Sequence, residues 1–179
     1  AAPDTKCAVE DEECSSDTSA KGTSEGLAPR VFPPLAFSQG ASLFATTNAE
    51  YGTGAYASSD AGSAFGSSAS AYPNAVAMGY KAKAYGHGSV ALGYDSSTGS
   101  RSQYAIAIGN NARAGETGYG GSIAIGYNAG AYYNSIALGV GSRATGDNSV
   151  ALGANSSAEG SNTVSIGRVG GERYLTNVK

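Results

Sequence analysis

The feature that most constrains this chain is a short motif of an apolar, a small, an apolar and a glycine residue. It recurs at Val76–Gly79, Val90–Gly93, Ile106–Gly109, Ile123–Gly126, Ile136–Gly139, Val150–Gly153 and Val164–Gly167. Looser copies stand upstream at Leu35–Ser38, Ala49–Gly52 and Ser63–Gly66. Successive motifs lie 13–14 residues apart, with two longer intervals of 16 and 17. A fixed short period of this kind means stacked copies of one small unit, each covering the face of its neighbour.

Within a motif the side chains alternate, so Val90 and Leu92 share one face and Ala91 the other, a period of two that reads as a strand. A second alternation follows three and five residues past the glycine, as at Ala82 and Ala84 or Ala112 and Ala114. Each unit therefore holds two short strands. Glycines such as Gly86, Gly99, Gly115, Gly146 and Gly160 stand where the chain must turn. The expected fold is all-β, a parallel β-roll solenoid of about ten coils of 13–17 residues, some 45 Å long at about 4.8 Å per strand. The simplest packing points the Val, Ile and Leu residues inward against Ala and Ser of the second strand. It leaves the middle residues Ala77, Ala91, Ala107, Ala124, Ala137 and Ala151 as a flat outer ladder suited to close approach by another subunit. Two branched and two small residues per coil make a thin core for a lone chain, which also favours self-association.

Composition agrees with a thin core: 179 residues include 27 Gly, four Phe, one Met and no Trp. Charge is uneven. Residues 1–30 carry seven acids against three bases, whereas the rest carries eight bases and seven acids, too balanced a field for nucleic acid. The chain accordingly divides into an acidic segment at 1–30, disordered or capping, the repeats at 31–167, and a closing segment at 168–179. Cys7 and Cys14 are the only cysteines. They fit a disulfide within the chain, a bridge between chains, or two free thiols, and lack the partners a zinc site needs. No apolar run reaches the roughly 18 residues that cross a membrane.

The units resemble the head repeat of trimeric autotransporter adhesins, with its Asn-Ser-Val-Ala-Ile-Gly consensus. Asn148–Gly153 and Asn134–Gly139 carry that resemblance, and it extends over roughly residues 74–167. Ser165–Val178 is similar to the neck that leads from head to stalk in that family. The resemblance implies a YadA-like left-handed β-roll head that is homotrimeric and sits on the bacterial surface. It also implies membrane attachment left to a C-terminal anchor beyond this sequence, and neck residues Glu172, Arg173 and Asn177 that fix the trimer's lower end through ion pairs or hydrogen bonds.

Three sets of residues are candidates for ligand contact. Lys83, Arg113 and Arg143 stand four past the glycine, on the outer side of the second strand, with Ser97, Gly130 and Ser157 between and beyond them. They form a basic stripe, or simply keep an exposed sheet soluble. Tyr80, Tyr94 and Tyr127 directly follow the glycine, where tyrosine suits recognition and also turn packing. The two long intervals place extra residues at 96–103 and 115–122, adding Arg101, Tyr104, Glu116 and Tyr119, and loops on rigid scaffolds commonly carry recognition. His87, between two glycines, reads as an exposed turn residue without a catalytic partner. Gly118–Gly121 lacks the lysine and helix of a phosphate loop.

No catalytic constellation, cofactor or metal is expected, so the chain reads as a binding protein and not an enzyme. The expected partners are a second and third copy of itself and a host matrix or cell-surface protein, of the class of collagen, fibronectin, laminin or an epithelial receptor. A structural spacer that mediates self-association without a host receptor is the alternative.

Overall fold

Alternation inside the motif fixes where strands form, and glycine fixes where they end. In the computed structural model, which describes residues 48–58, 60–116 and 120–178, each motif is a three-residue strand. These are Ala49–Tyr51, Ser63–Phe65, Val76–Met78, Val90–Leu92, Ile106–Ile108, Ile123–Ile125, Ile136–Leu138 and Val150–Leu152, closed by the two-residue Val164–Ser165. Each of the first eight is followed by a two-residue strand: Tyr56–Ala57, Ser70–Ala71, Lys83–Ala84, Ser97–Thr98, Arg113–Ala114, Gly130–Ala131, Arg143–Ala144 and Ser157–Ala158. The long strands stack into one parallel sheet and the short strands into another, each strand pairing with its equivalents one coil before and after. The result is an all-β parallel solenoid of eight complete turns with a ninth begun. The acidic segment, Cys7, Cys14, the upstream copy at Leu35–Ser38 and Tyr119 lie outside the described residues.

Register is set motif on motif: Val90 aligns with Ile106, Ala91 with Ala107 and Leu92 with Ile108. The motif glycines then stack directly on one another with φ between +105° and +137°. A methyl group on Gly109 would sit 2.5 Å from the carbonyl oxygen of Gly126, so this corner of the roll admits no side chain. Two residues on, the turn passes through the left-handed region at Lys81, Asp95, Asn111, Asn128, Gly141 and Asn155. Asparagine and aspartate tolerate that conformation well.

The phase of the alternation is the reverse of the expected one. Ala77, Ala91, Ala107, Ala124, Ala137 and Ala151 are fully buried inside the roll. The flanking Val, Ile, Met and Leu residues point outward and remain half-buried or exposed. The Ala ladder is therefore the core, not a subunit contact. Each coil closes on four small residues: the middle Ala, one from the residue preceding the motif, and two from the short strand and its approach. Ala105, Ala107, Ala112 and Ala114 form one such set. Two short strands joined by tight turns leave width for nothing larger than Thr98, the one fully buried threonine among the described residues. Where serine replaces alanine inside, its hydroxyl at several positions bonds a nearby carbonyl, Ser142 to Gly139 at 2.8 Å and Ser149 to Gly146 at 2.7 Å; the buried Ser122 hydroxyl is an exception, with no partner.

An interior of this size tolerates no added volume. Ala124→Leu should destabilise the protein by about 1–3 kcal/mol through overpacking, seen as a lower urea midpoint at unchanged slope.

Candidate functional site

With the interior filled by alanine, serine and Thr98, the Val, Ile, Leu, Met and Tyr side chains of the described repeats are on the outside, and the two sheets present different surfaces. The long-strand sheet shows two apolar columns. One runs through Val76, Val90, Ile106, Ile123, Ile136 and Val150, the other through Met78, Leu92, Ile108, Ile125, Leu138 and Leu152. Met78, Leu92, Ile125 and Leu152 are 38–46% exposed. A continuous apolar face spanning so many coils is more than scattered surface residues explain.

The short-strand sheet is polar. Its outward column reads Ser70, Lys83, Ser97, Arg113, Gly130, Arg143, Ser157, which puts Lys83, Arg113 and Arg143 in one line at alternate coils. They are not equivalent. The Lys83 ammonium lies 3.8 Å from Asp95, and Arg113 Nη1 donates to both oxygens of Glu116 at 3.2 and 3.3 Å. The Arg143 guanidinium has no ion-pair or hydrogen-bond partner among the described residues. Acids on a neighbouring turn and an inserted loop thus neutralise two of the three cations.

Turns flank this column on both sides. On one side stand Tyr80, Tyr94 and Tyr127, 45–53% exposed. Tyr80 and Tyr94 stack with centroids 5.4 Å apart, and Lys81 lies over the Tyr80 ring at 5.2 Å. Asn110 separates Tyr127 from this pair in the stack. On the other side lie the two insertions. The first adds its residues between Gly99 and Ala105, because Ser96 is buried and Ser97–Thr98 is an ordinary short strand. This corrects the 96–103 boundary, which the glycine spacing alone does not resolve. Arg101 and Tyr104 are exposed there, and the Tyr104 ring meets His87 edge-on at 6.2 Å. His87 Nε2 also lies 3.1 Å from the Asn74 amide. The nine candidate contacts, Tyr119 aside, therefore share one wall and its two corners and do not converge on a single cleft.

At the end of the stack Arg173 acts as a clamp. Its Nη1 donates to Ser156 Oγ at 2.9 Å and to the Ile166 carbonyl at 2.7 Å, and its Nη2 to the Ala154 carbonyl at 2.6 Å. All three of these bonds lie within the chain. Glu172 accepts the Gly170 amide at 2.8 Å, and Asn177 takes a left-handed turn at φ 61°. Hydrogen bonds from its own amide and from that of Gly170 hold the Glu172 carboxyl below its ordinary range. Val169, Tyr174, Leu175 and Val178 beside them are exposed apolar residues.

A family model described as the YadA head domain repeat (2 copies) matches residues 73–96, 102–119, 133–156 and 144–168. No curated protein matches the chain.

Removing the clamp in Arg173→Ala should lower the melting temperature by roughly 2–6 °C, since charge-assisted bonds at an exposed site contribute modestly; an unchanged melting curve would show that water replaces all three bonds. A carboxyl with a depressed folded-state pKa supports the ordered form above its unfolded value, and that support disappears as pH falls through the folded value. A proton-detected titration should accordingly find the Glu172 midpoint below that of a free glutamate, with the Gly170 amide shift following it.

Proposed function

The chain belongs to the YadA-like head domains, and from that premise we propose that it is the projecting end of a bacterial surface adhesin that binds host extracellular-matrix or cell-surface proteins. Membership implies assembly as a homotrimer, and YadA-like domains belong to surface-exposed autotransporter adhesins. The observation that carries the reading is the division of labour between the two sheets. One outer face is apolar along its length and suits burial against a second and third copy; the other is polar, tyrosine-edged and interrupted by loops.

The apolar columns, and not the Ala ladder, are the subunit contact in this reading. They run over six strands, five spacings, or about 24 Å at ~4.8 Å each. Burying a half-exposed Leu or Ile recovers part of the roughly 1.5–3 kcal/mol that full burial contributes. Closed cyclic symmetry lets every copy use the same face. Neighbouring subunits would also cover Val169, Tyr174 and Leu175. Assembly leaves the short-strand wall outside, presented three times. The protein acts by binding and not by catalysis, because the wall offers shallow contacts repeated on a rigid scaffold, where avidity substitutes for a deep pocket.

Glu at Ile123 and Ile136 should convert the trimer to monomer in sedimentation velocity with strand content retained. Glu at Ala107 and Ala124 should unfold the roll instead, and a trimer that survives the first pair would place the contact elsewhere. Binding of the verified trimer to collagen, fibronectin, laminin and cultured epithelial cells tests adhesion itself: saturable binding to at least one is expected. Clumping of displaying cells without any such binding would favour a self-association module.

A further inference from the structure

One point on the polar wall is built differently from the rest. Gly130 occupies the outward position between Arg113 and Arg143, and the ring of Tyr132, two residues on and facing the same way, lies across it. A methyl group on Gly130 would touch the ring at 3.4–3.8 Å, and any longer side chain would displace it. Arg113 and Arg143 flank this aromatic floor one coil to each side, their backbones about 10 Å apart by two strand spacings. Asn111 and Asn128 border it on the turn side, and the whole forms a hollow of about 380 Å³.

We infer that this hollow is a binding site for an acidic carbohydrate, a sugar bearing sulfate or carboxylate, with Arg143 as the principal anion contact and Tyr132 as the stacking floor. The inference rests on the adhesive reading above and names a ligand class for it. Four chemical features favour a sugar. The Tyr132 ring offers an apolar platform for the face of a pyranose. The Asn111 and Asn128 amides and the Tyr132 hydroxyl bond no described residue, so donors and acceptors for hydroxyl groups surround that platform. Arg143 is the stripe's one cation without a partner among the described residues, and guanidinium pairs with sulfate or carboxylate in a forked geometry. Arg113 is held by Glu116 at the far rim, where it can take a second anionic group by exchange. The larger hollow lined by Tyr133, Asp147 and Glu159 carries acids and would repel such a ligand. An acidic peptide would satisfy Arg143 but has no use for a flat aromatic floor ringed by amides.

The test uses the trimeric chain in surface plasmon resonance at two salt concentrations. The probes are a heparin hexasaccharide, its desulfated form, a neutral maltohexaose and a sulfotyrosine peptide. The heparin hexasaccharide should bind, more weakly at the higher salt, and maltohexaose should not. Arg143→Ser should weaken binding roughly tenfold, the loss of one charged hydrogen-bond pair, and Tyr132→Leu should weaken it by a similar factor through loss of the flat aromatic platform. Lys83→Ser, removing a cation already paired in the same column, should change it less than twofold. Circular dichroism and sedimentation check that each variant keeps the folded trimer. If the peptide alone binds, or if Arg143→Ser binds the hexasaccharide as the unaltered protein does, the inference is overturned. Matrix-protein binding with no acidic sugar bound would overturn this site and leave the adhesive reading standing. Loss of both would overturn the adhesive reading first.

Discussion

Four small side chains per coil, enclosed by two strands that turn on stacked glycines, fix the internal width of the roll, and the rest of the surface follows from that width. The Gly109 position shows how tight the closure is, since even a methyl there would collide with the Gly126 carbonyl. Hydrophobic burial inside one chain is correspondingly small: alanine methyls contribute little each, and the coils are held chiefly by two continuous parallel hydrogen-bond ladders. A chain that spends its Val, Ile and Leu residues on the outside gains their burial only by association. In the trimer proposed above, the narrowness of the interior would therefore couple folding to assembly.

The repeat length, both strands of every coil, the turn positions and the register were legible in the sequence because each follows from local periodicity. Which face points inward was not. Alternation identifies residues that share a face, and a one-residue shift exchanges the two faces without altering the pattern. The usual association of branched residues with the interior then gives the wrong phase. A better signal lay in size tolerance. The middle position is Ala in six of the seven clear motifs and Ser165 in the seventh, while the flanking positions range over Val, Ile, Met and Leu. An enclosed volume admits one side-chain size, whereas an open face admits several.

The polar wall was legible as a column and illegible as chemistry. Position four past the glycine does place Lys83, Arg113 and Arg143 in line, because their strands pair in register. Their charge partners come from elsewhere in the coil path: Asp95 from the following turn and Glu116 from an insertion. Repeat arithmetic aligns equivalent positions but does not show contacts between inequivalent ones. Gly130 reads as an interruption of the stripe for the same reason, and only the fold shows the Tyr132 ring lying over it.

Rigidity along the stack gives these surface groups their value for recognition. Each outward position is carried by backbone bonded to the coil before and the coil after, as when Arg113 pairs with Ser97 on one side and Gly130 on the other. Ordering such a wall on binding costs little conformational entropy, because its backbone is already ordered. The open end of a solenoid lacks that support on one side, and here Arg173 reaches back across 19 residues to the Ala154 carbonyl and caps the last complete coil. A stack closed in this way transmits the positions of its upper coils to its base. That lets weak contacts spread along the wall act at a fixed spacing.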